Sequence, residues 1–142
     1  VTCFVDASAL VKRYADEAGS EVVRTLVPPL VISALSGVEV PAAIWRKHRA
    51  GELSAAHASV LHRAFETDWR GGDPGFVVVD LASPVLDSAA RCVAVHDLRA
   101  GDAIQLACAL AVRDVVPDVE RLVAFDGRLR AAARAEGFTV VP

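Results

Sequence analysis

Cys3-Phe4-Val5-Asp6-Ala7-Ser8-Ala9-Leu10 is the stretch whose reading decides the fold. Thr2 to Val5 are β-favouring residues, whereas Ala9, Leu10, Val11 and Tyr14 fall at helical spacing. Asp6 therefore stands where a strand gives way to a helix. In an open parallel sheet, that carboxyl edge is where ligands bind.

Outward from Asp6 the same alternation repeats. A first helix is predicted from Ser8 to about Asp16, closed by Gly19. Ser20 is expected to cap a second, with Val22, Val23, Leu26 and Val27 on its apolar side and Pro28-Pro29 as its stop. Leu30 to Ser33 reads as a strand, about Gly37 to Ala50 as a helix, and Ser54 opens a helix to about Trp69. Gly71-Gly72-Asp73-Pro74-Gly75 then breaks the chain. Phe76 to Val79 is a continuous apolar strand, the pattern of a strand covered on both faces. Helices from Pro84 to about Val95 and from Gly101 to about Arg113 follow. Then come a strand from Leu122 to Phe125, a helix from Arg128 to Glu136, and a closing strand from Thr139 to Val141. Strands separated by helices predict one three-layer α/β domain over residues 1–142, built on a parallel sheet.

Composition agrees with a single packed domain. The chain has 142 residues, 54% hydrophobic and 23% charged, which disfavours disorder. No apolar run reaches the roughly 18 residues of a membrane span. The first residues run directly into a strand with no charged-then-apolar leader, so a soluble cytoplasmic protein is the expectation. The three cysteines, Cys3, Cys92 and Cys108, are far apart and read as buried thiols of a reducing compartment, not zinc ligands. The net charge of −3 gives no global field to recruit nucleic acid, so such a contact needs a local basic patch.

Four acids recur at equivalent places. Asp6 and Asp126 follow strands; Glu39 and Asp102 open helices. Each has a structural explanation when taken alone. Asp126-Gly127 is a turn dipeptide, Asp102 suits a helix cap, and Ser36-Gly37-Val38-Glu39 matches a capping box. Pro41 argues against that box, because it would fall beyond the first turn of a helix capped by Ser36. A helix starting one or two residues later would free Glu39. Together the four can lie on one sheet edge, where converging carboxylates raise one another's pKa unless cations are present. Oxygen-rich sites of this kind suit Mg²⁺ or Mn²⁺, which activate water and stabilise the leaving oxygen of a phosphodiester.

The motifs carry a more specific likeness. Phe4-Val5-Asp6-Ala7-Ser8-Ala9-Leu10-Val11-Lys12 resembles the opening signature of PIN domains, in particular VapC-type toxins. Glu39 resembles that family's second acid. Gly101-Asp102-Ala103-Ile104-Gln105-Leu106-Ala107 is similar to its third-acid segment, with Gly101 where leucine or alanine is usual. Phe125-Asp126-Gly127-Arg128-Leu129 resembles the fourth; Pro41 soon after Glu39 is a departure from the family pattern. The likeness spans nearly the whole chain.

It implies a five-stranded sheet in the order 3-2-1-4-5, flanked by helices. It further implies an Mg²⁺- or Mn²⁺-dependent endoribonuclease with Asp6, Glu39, Asp102 and Asp126 as catalytic and metal-binding acids. Ser8 would be a supporting residue beside Asp6, with a helix cap as its alternative. Metal-activated water would cut RNA to leave a 5′-phosphate and a 3′-hydroxyl. A VapB-type antitoxin in a groove near the first helices, and a homodimer, are the implied partners. In that strand order, neighbouring strands would set Asp6 and Asp126 about 5 Å apart and leave Asp80 roughly 10 Å from Asp6, outside the site.

Arg99, Arg128 and Arg130 flank the third and fourth acids and are candidates for RNA phosphates, as is Arg46 in the run Arg46-Lys47-His48-Arg49. Trp45, Trp69, Phe65 and Tyr14 could stack bases but fit core packing better. The histidines show no ligand spacing. A mean hydropathy of +0.39 suits either partner surfaces or a well-filled core. Rival readings are a PIN nuclease of RNA processing outside toxin–antitoxin pairs, a catalytically inactive binding module, and a phosphatase, which would need an acid where Ser8 stands.

Overall fold

The computed structural model describes residues 2–71 and 75–142; the expected break at Gly71 to Gly75 falls mainly on 72–74, outside the described residues. Strand β1 (Thr2–Val5) leads through Asp6 into α1 (Ala7–Leu10), which tightens into a 3-10 turn over Val11–Arg13. Next come α2 (Ser20–Arg24), β2 (Leu30–Ser33), α3 (Ser36–Arg49), α4 (Ala55–Trp69) and β3 (Phe76–Val79). The chain closes with α5 (Ser83–His96), α6 (Ala100–Val115), β4 (Val119–Val123), α7 (Gly127–Ala135) and β5 (Thr139–Val141).

The sheet is wholly parallel, in the order β3-β2-β1-β4-β5 that the family likeness implied. β1 is its centre, with Phe4 opposite Val31 of β2 and Val5 opposite Val123 of β4. Alternate side chains feed two separate cores. Phe4, Val31 and Leu122 point into one with α5, α6 and α7, around Leu106, Cys108 and Leu129. Cys3, Val5, Leu30, Ile32 and Val123 point into the other with α1, α3 and α4, around Leu10, Ile44 and Phe65. The expected three layers follow. All three cysteines are free and buried.

Several boundaries differ from expectation, each for a local reason. Ser20 does not cap α2: Gly19 holds that place at φ 91, and the Ser20 hydroxyl donates to the Ala15 carbonyl at 3.1 Å. Helix α2 stops at Arg24, so Val27 is 80% exposed instead of lying on an apolar face. Helix α3 starts at Ser36, earlier than the argument from Pro41 required, and Pro41 sits inside it. β3 is an edge strand with Val77 46% exposed, so its apolar run does not mean cover on both faces. β4 spans Val119–Val123, earlier than expected; Glu120 lies in the strand, and Asp126 caps α7 instead of closing β4.

Phe65 of α4 is 1% exposed and meets Tyr14, Trp69 and Phe76 at centroid distances of 5.6, 5.8 and 6.3 Å. Truncation there removes the packing that ties α4 to β3 and to the first turns of the chain. Phe65→Ala is expected to lower stability by about 3–5 kcal/mol, read as a shift in the urea midpoint.

Candidate active site

Asp6 follows the last residue of β1. Its N–H donates to the Val123 carbonyl at 3.1 Å, extending the ladder by one rung, and its side chain caps α1. One oxygen, Oδ2, accepts both the Ser8 N–H, at 3.2 Å, and the Ser8 hydroxyl. Ser8 is thus a donor to the cap and not the cap itself. Asp6 is only 3% exposed. Burial pushes its carboxyl up to about 6; the Ser8 hydroxyl opposes that rise, and the charges of Asp102 and Glu39 add to it.

Glu39 and Asp102 reach the same cleft from chain-distant helices. Leu35 takes the cap position of α3 with no side-chain bond, so the capping box does not form. The Ser36 hydroxyl accepts instead from Gln105 Nε2, at 3.2 Å. Glu39 is free of the backbone, and its Oε2 accepts from the same Gln105 nitrogen at 2.7 Å. Burial raises the Glu39 carboxyl; the bond from Gln105 lowers it, and Asp102 raises it further. Asp102 does not cap α6, since Arg99 occupies that position. Burial raises its carboxyl too, Asp126 adds to the rise and Arg99 opposes it.

Asp6, Ser8, Glu39, Arg46 and Asp102 line one cleft of about 170 Å³. Asp126 is not in its wall. It is exposed, and its Oδ2 accepts the Leu129 N–H at 3.0 Å as the cap of α7. Val5 pairs with Val123, so Asp6 lies one residue past the last rung and Asp126 three past it. The ~5 Å strand spacing applies to residues on one rung and does not measure the Asp6–Asp126 separation. Among the described residues, no three His, Cys, Asp or Glu side chains converge closely enough to enclose an ion as they stand. The chemistry of the cleft nevertheless fits a hard dication. Its acids offer only oxygen, all three carboxyls are raised, and a cation would reverse that shift. Gly101 leaves room for the Glu39 carboxylate: a Cβ there would stand 2.9 Å from Glu39 Oε1.

Gln105 was not anticipated. It is 1% exposed, and its Oε1 has no partner among the described residues. The signal for it was present, a lone amide in the apolar run Ala103-Ile104-Gln105-Leu106-Ala107, three residues after Asp102 and so on the same helix face.

The basic candidates divide. Arg46 lines the cleft, and Arg99 stands exposed at the start of α6 beside Asp102. Arg128 lies at the surface, 3.9 Å from Asp97. Arg130 donates to the carbonyls of Ala124 and Pro142, at 3.0 and 2.7 Å, and clamps the chain end. The aromatic residues are packed, not free to stack: Trp45 donates to His62 at 3.1 Å, and Trp69 lies against Gly37.

Residues 3–135 match the PIN domain family. Ribonuclease VapC45 of Mycobacterium tuberculosis (strain CDC 1551 / Oshkosh) is 34% identical over 142 residues, covering 98% of this chain and 94% of that protein. Ribonuclease VapC46 of strain ATCC 25618 / H37Rv is 32% identical over 145 residues, covering 97% and 95%. A toxin–antitoxin complex from Klebsiella pneumoniae contains a chain of the same fold. It has a TM-score of 0.65 at 17% identity and covers 99% of this chain and 96% of that one. No helix among the described residues is long and apolar enough to cross a membrane. With the sheet order, the motif positions and near-full-length relatives in agreement, this chain belongs to the PIN domain family and is of the VapC type.

Proposed function

We propose that the chain is an Mg²⁺- or Mn²⁺-dependent endoribonuclease acting as the toxin of a toxin–antitoxin pair. The observation that carries the reading is the gathering of Asp6, Glu39 and Asp102 from β1, α3 and α6 into one cleft, with every one of those carboxyls raised. One buried and two half-buried like charges oppose folding unless a cation is part of the working state. The near-full-length relatives named as ribonucleases support RNA as the substrate.

In this reading Asp6, Glu39 and Asp102 hold the metal. Asp126, outside the cleft wall, adds negative charge that Asp102 feels. A dication bound there supplies a water activated for attack and neutralises charge at the leaving oxygen. The remaining work belongs to the side chains. Ser8 fixes one oxygen of Asp6, and Gln105 fixes one oxygen of Glu39 and leaves Oε1 facing Gly101. Arg46, at the rim, meets a phosphate oxygen of the strand being cut. Hydrolysis leaves a 5′-phosphate and a 3′-hydroxyl. A VapB-type antitoxin and a second copy of the chain are the proposed protein partners. The toxin–antitoxin assembly of the same fold supports the first, and the exposed Leu86 and Val93 on α5 support an apolar contact with the second.

Asp6→Asn is expected to abolish cleavage while the circular dichroism spectrum is retained; undiminished cleavage removes the assignment. Mn²⁺ titrated calorimetrically into the wild-type chain should give a saturable heat that Asp6→Asn loses, and a flat wild-type titration would return the inactive-module reading. Without metal, the pH dependence of stability follows from the raised Asp6 carboxyl. The folded chain holds this proton up to about 6 and the unfolded chain only to about 3.9, so stability is greatest below that window and falls as pH rises through it. The decline amounts to about 3 kcal/mol at most, and Asp6→Asn should remove it and melt higher than wild type at pH 7. Gln105→Leu should keep the fold but lower cleavage and Mn²⁺ affinity by about 10–100-fold, because Glu39 is no longer held.

A further inference from the structure

Beside the acid cleft lies a larger cavity of about 380 Å³, walled by Lys12, Glu17, Arg46, Lys47, Glu52 and Phe125 among others. The two spaces adjoin, since Ser8, Ala43 and Arg46 line both. Three cations and two acids face the cavity, and its volume falls within the roughly 300–1,000 Å³ of small-molecule sites. That is room for a single nucleotide unit, not for a duplex.

The cations are held ready in an unusual way. Glu17 spreads its carboxylate between two ammonium groups, Oε1 at 2.9 Å from Lys12 Nζ and Oε2 at 2.7 Å from Lys47 Nζ. These side chains are 12% and 20% exposed, so water screens the arrangement only partly. Lys12 is fixed further by the Ala18 carbonyl, at 2.8 Å, and lies 4.6 Å from the centroid of the Phe125 ring. Lys47 also reaches Glu52 at 3.3 Å. Arg46, exposed at the boundary with the acid cleft, has no carboxylate partner among the described residues. Two oxygens on one centre, each facing a lysine, is also how the two non-bridging oxygens of a phosphodiester would be met.

We infer that this cavity seats the nucleotide adjoining the cleaved bond, with its phosphate on Arg46 and then on Lys12 and Lys47 in place of Glu17. Glu17 is the resident anion of the subsite, which keeps the two lysines in position and must be displaced when RNA enters. The inference rests on the nuclease reading and adds to it a binding step carried by Lys12, Glu17 and Lys47, with Arg46 shared between cavity and cleft. A flexible single strand, whose backbone could turn from the cleft past Arg46 into the cavity, is the form of RNA that the two adjoining spaces would take.

The test is fluorescence anisotropy with a labelled single-stranded RNA of mixed sequence, in EDTA so that no strand is cut, over a range of salt. Glu17→Gln should bind about three- to tenfold tighter than wild type, with a steeper salt dependence, because two lysines lose their resident counter-charge. Arg46→Gln should bind on the order of tenfold more weakly and lower the salt slope by about 0.7. Should Glu17→Gln melt early, Lys47→Gln carries the same test, and its expected effect is a loss. Wild-type binding by Glu17→Gln and Arg46→Gln, in a protein whose Asp6-dependent cleavage persists, overturns the subsite and leaves the nuclease standing. Altered RNA binding in a chain that cuts no RNA even with Mn²⁺ removes the nuclease reading, and the adjoining-nucleotide assignment with it. A response confined to capture of an acidic peptide, with RNA binding unchanged, overturns the inference in favour of a protein groove.

Discussion

Asp6 is a carboxylate with 3% of its surface exposed and two further acids at hand, and the surrounding structure is arranged to tolerate it. Charge confined this way is destabilising, and the few local aids are modest. The Ser8 N–H and hydroxyl share one oxygen, and α1 is only four residues long, too short to contribute much of a dipole. What offsets the cost lies elsewhere, in two hydrophobic cores that sandwich β1 from both faces. The strand that delivers Asp6 is the central one of the sheet, with Phe4 and Val5 both at 0% exposure. A cluster of acids under electrostatic strain is therefore carried by a strand packed on both faces.

Topology explains how acids so far apart in sequence share that edge. β1 lies between β2 and β4, and each neighbour is joined to a helix whose first turn carries an acid. Helix α3 leaves the carboxyl end of β2 and presents Glu39 in its opening turns. Helix α6 returns the chain to the start of β4, so its own first turn, with Asp102, lies at the opposite, carboxyl edge. Right-handed parallel crossovers make this placement almost automatic. The acids need no contact with one another during folding, since the sheet order alone brings them together.

Much of this was legible in the sequence because it was periodic. The runs Leu30 to Ser33, Phe76 to Val79 and Thr139 to Val141 match observed strands at both ends, and Ser54 caps α4 as its position suggested. Illegibility began where a residue type serves two purposes. Leu122 to Phe125 is as apolar as a strand should be, yet pairing with β1 moves β4 back to Val119 and spends Asp126 on capping α7. Phe76 to Val79 looked doubly covered because an edge strand and a central one can share a composition. At the site, the acids were visible as acids at element junctions. Gln105 showed only as a lone amide on the Asp102 face of an apolar run; its bond to Glu39, sixty-six positions away, is a contact that no local pattern encodes.

The Pro41 problem shows how the site withstands a break in its own scaffold. Proline at that position offers no N–H to the Gly37 carbonyl, which weakens the first turns of α3 just where Glu39 projects. Constraint returns from outside the helix. Gly37 has no Cβ because Trp69 stands 2.7 Å from where one would be, so α4 presses directly on the α3 backbone. On the cleft side, Gln105 holds both Ser36 and Glu39 from α6. Gly101 then admits the Glu39 carboxylate to a place that the leucine or alanine usual at that position would fill. The two departures of this chain from its family's pattern are thus linked: a first turn deprived of one backbone bond is fixed by side-chain contacts on two faces, and a glycine opposite makes room for the acid those contacts hold.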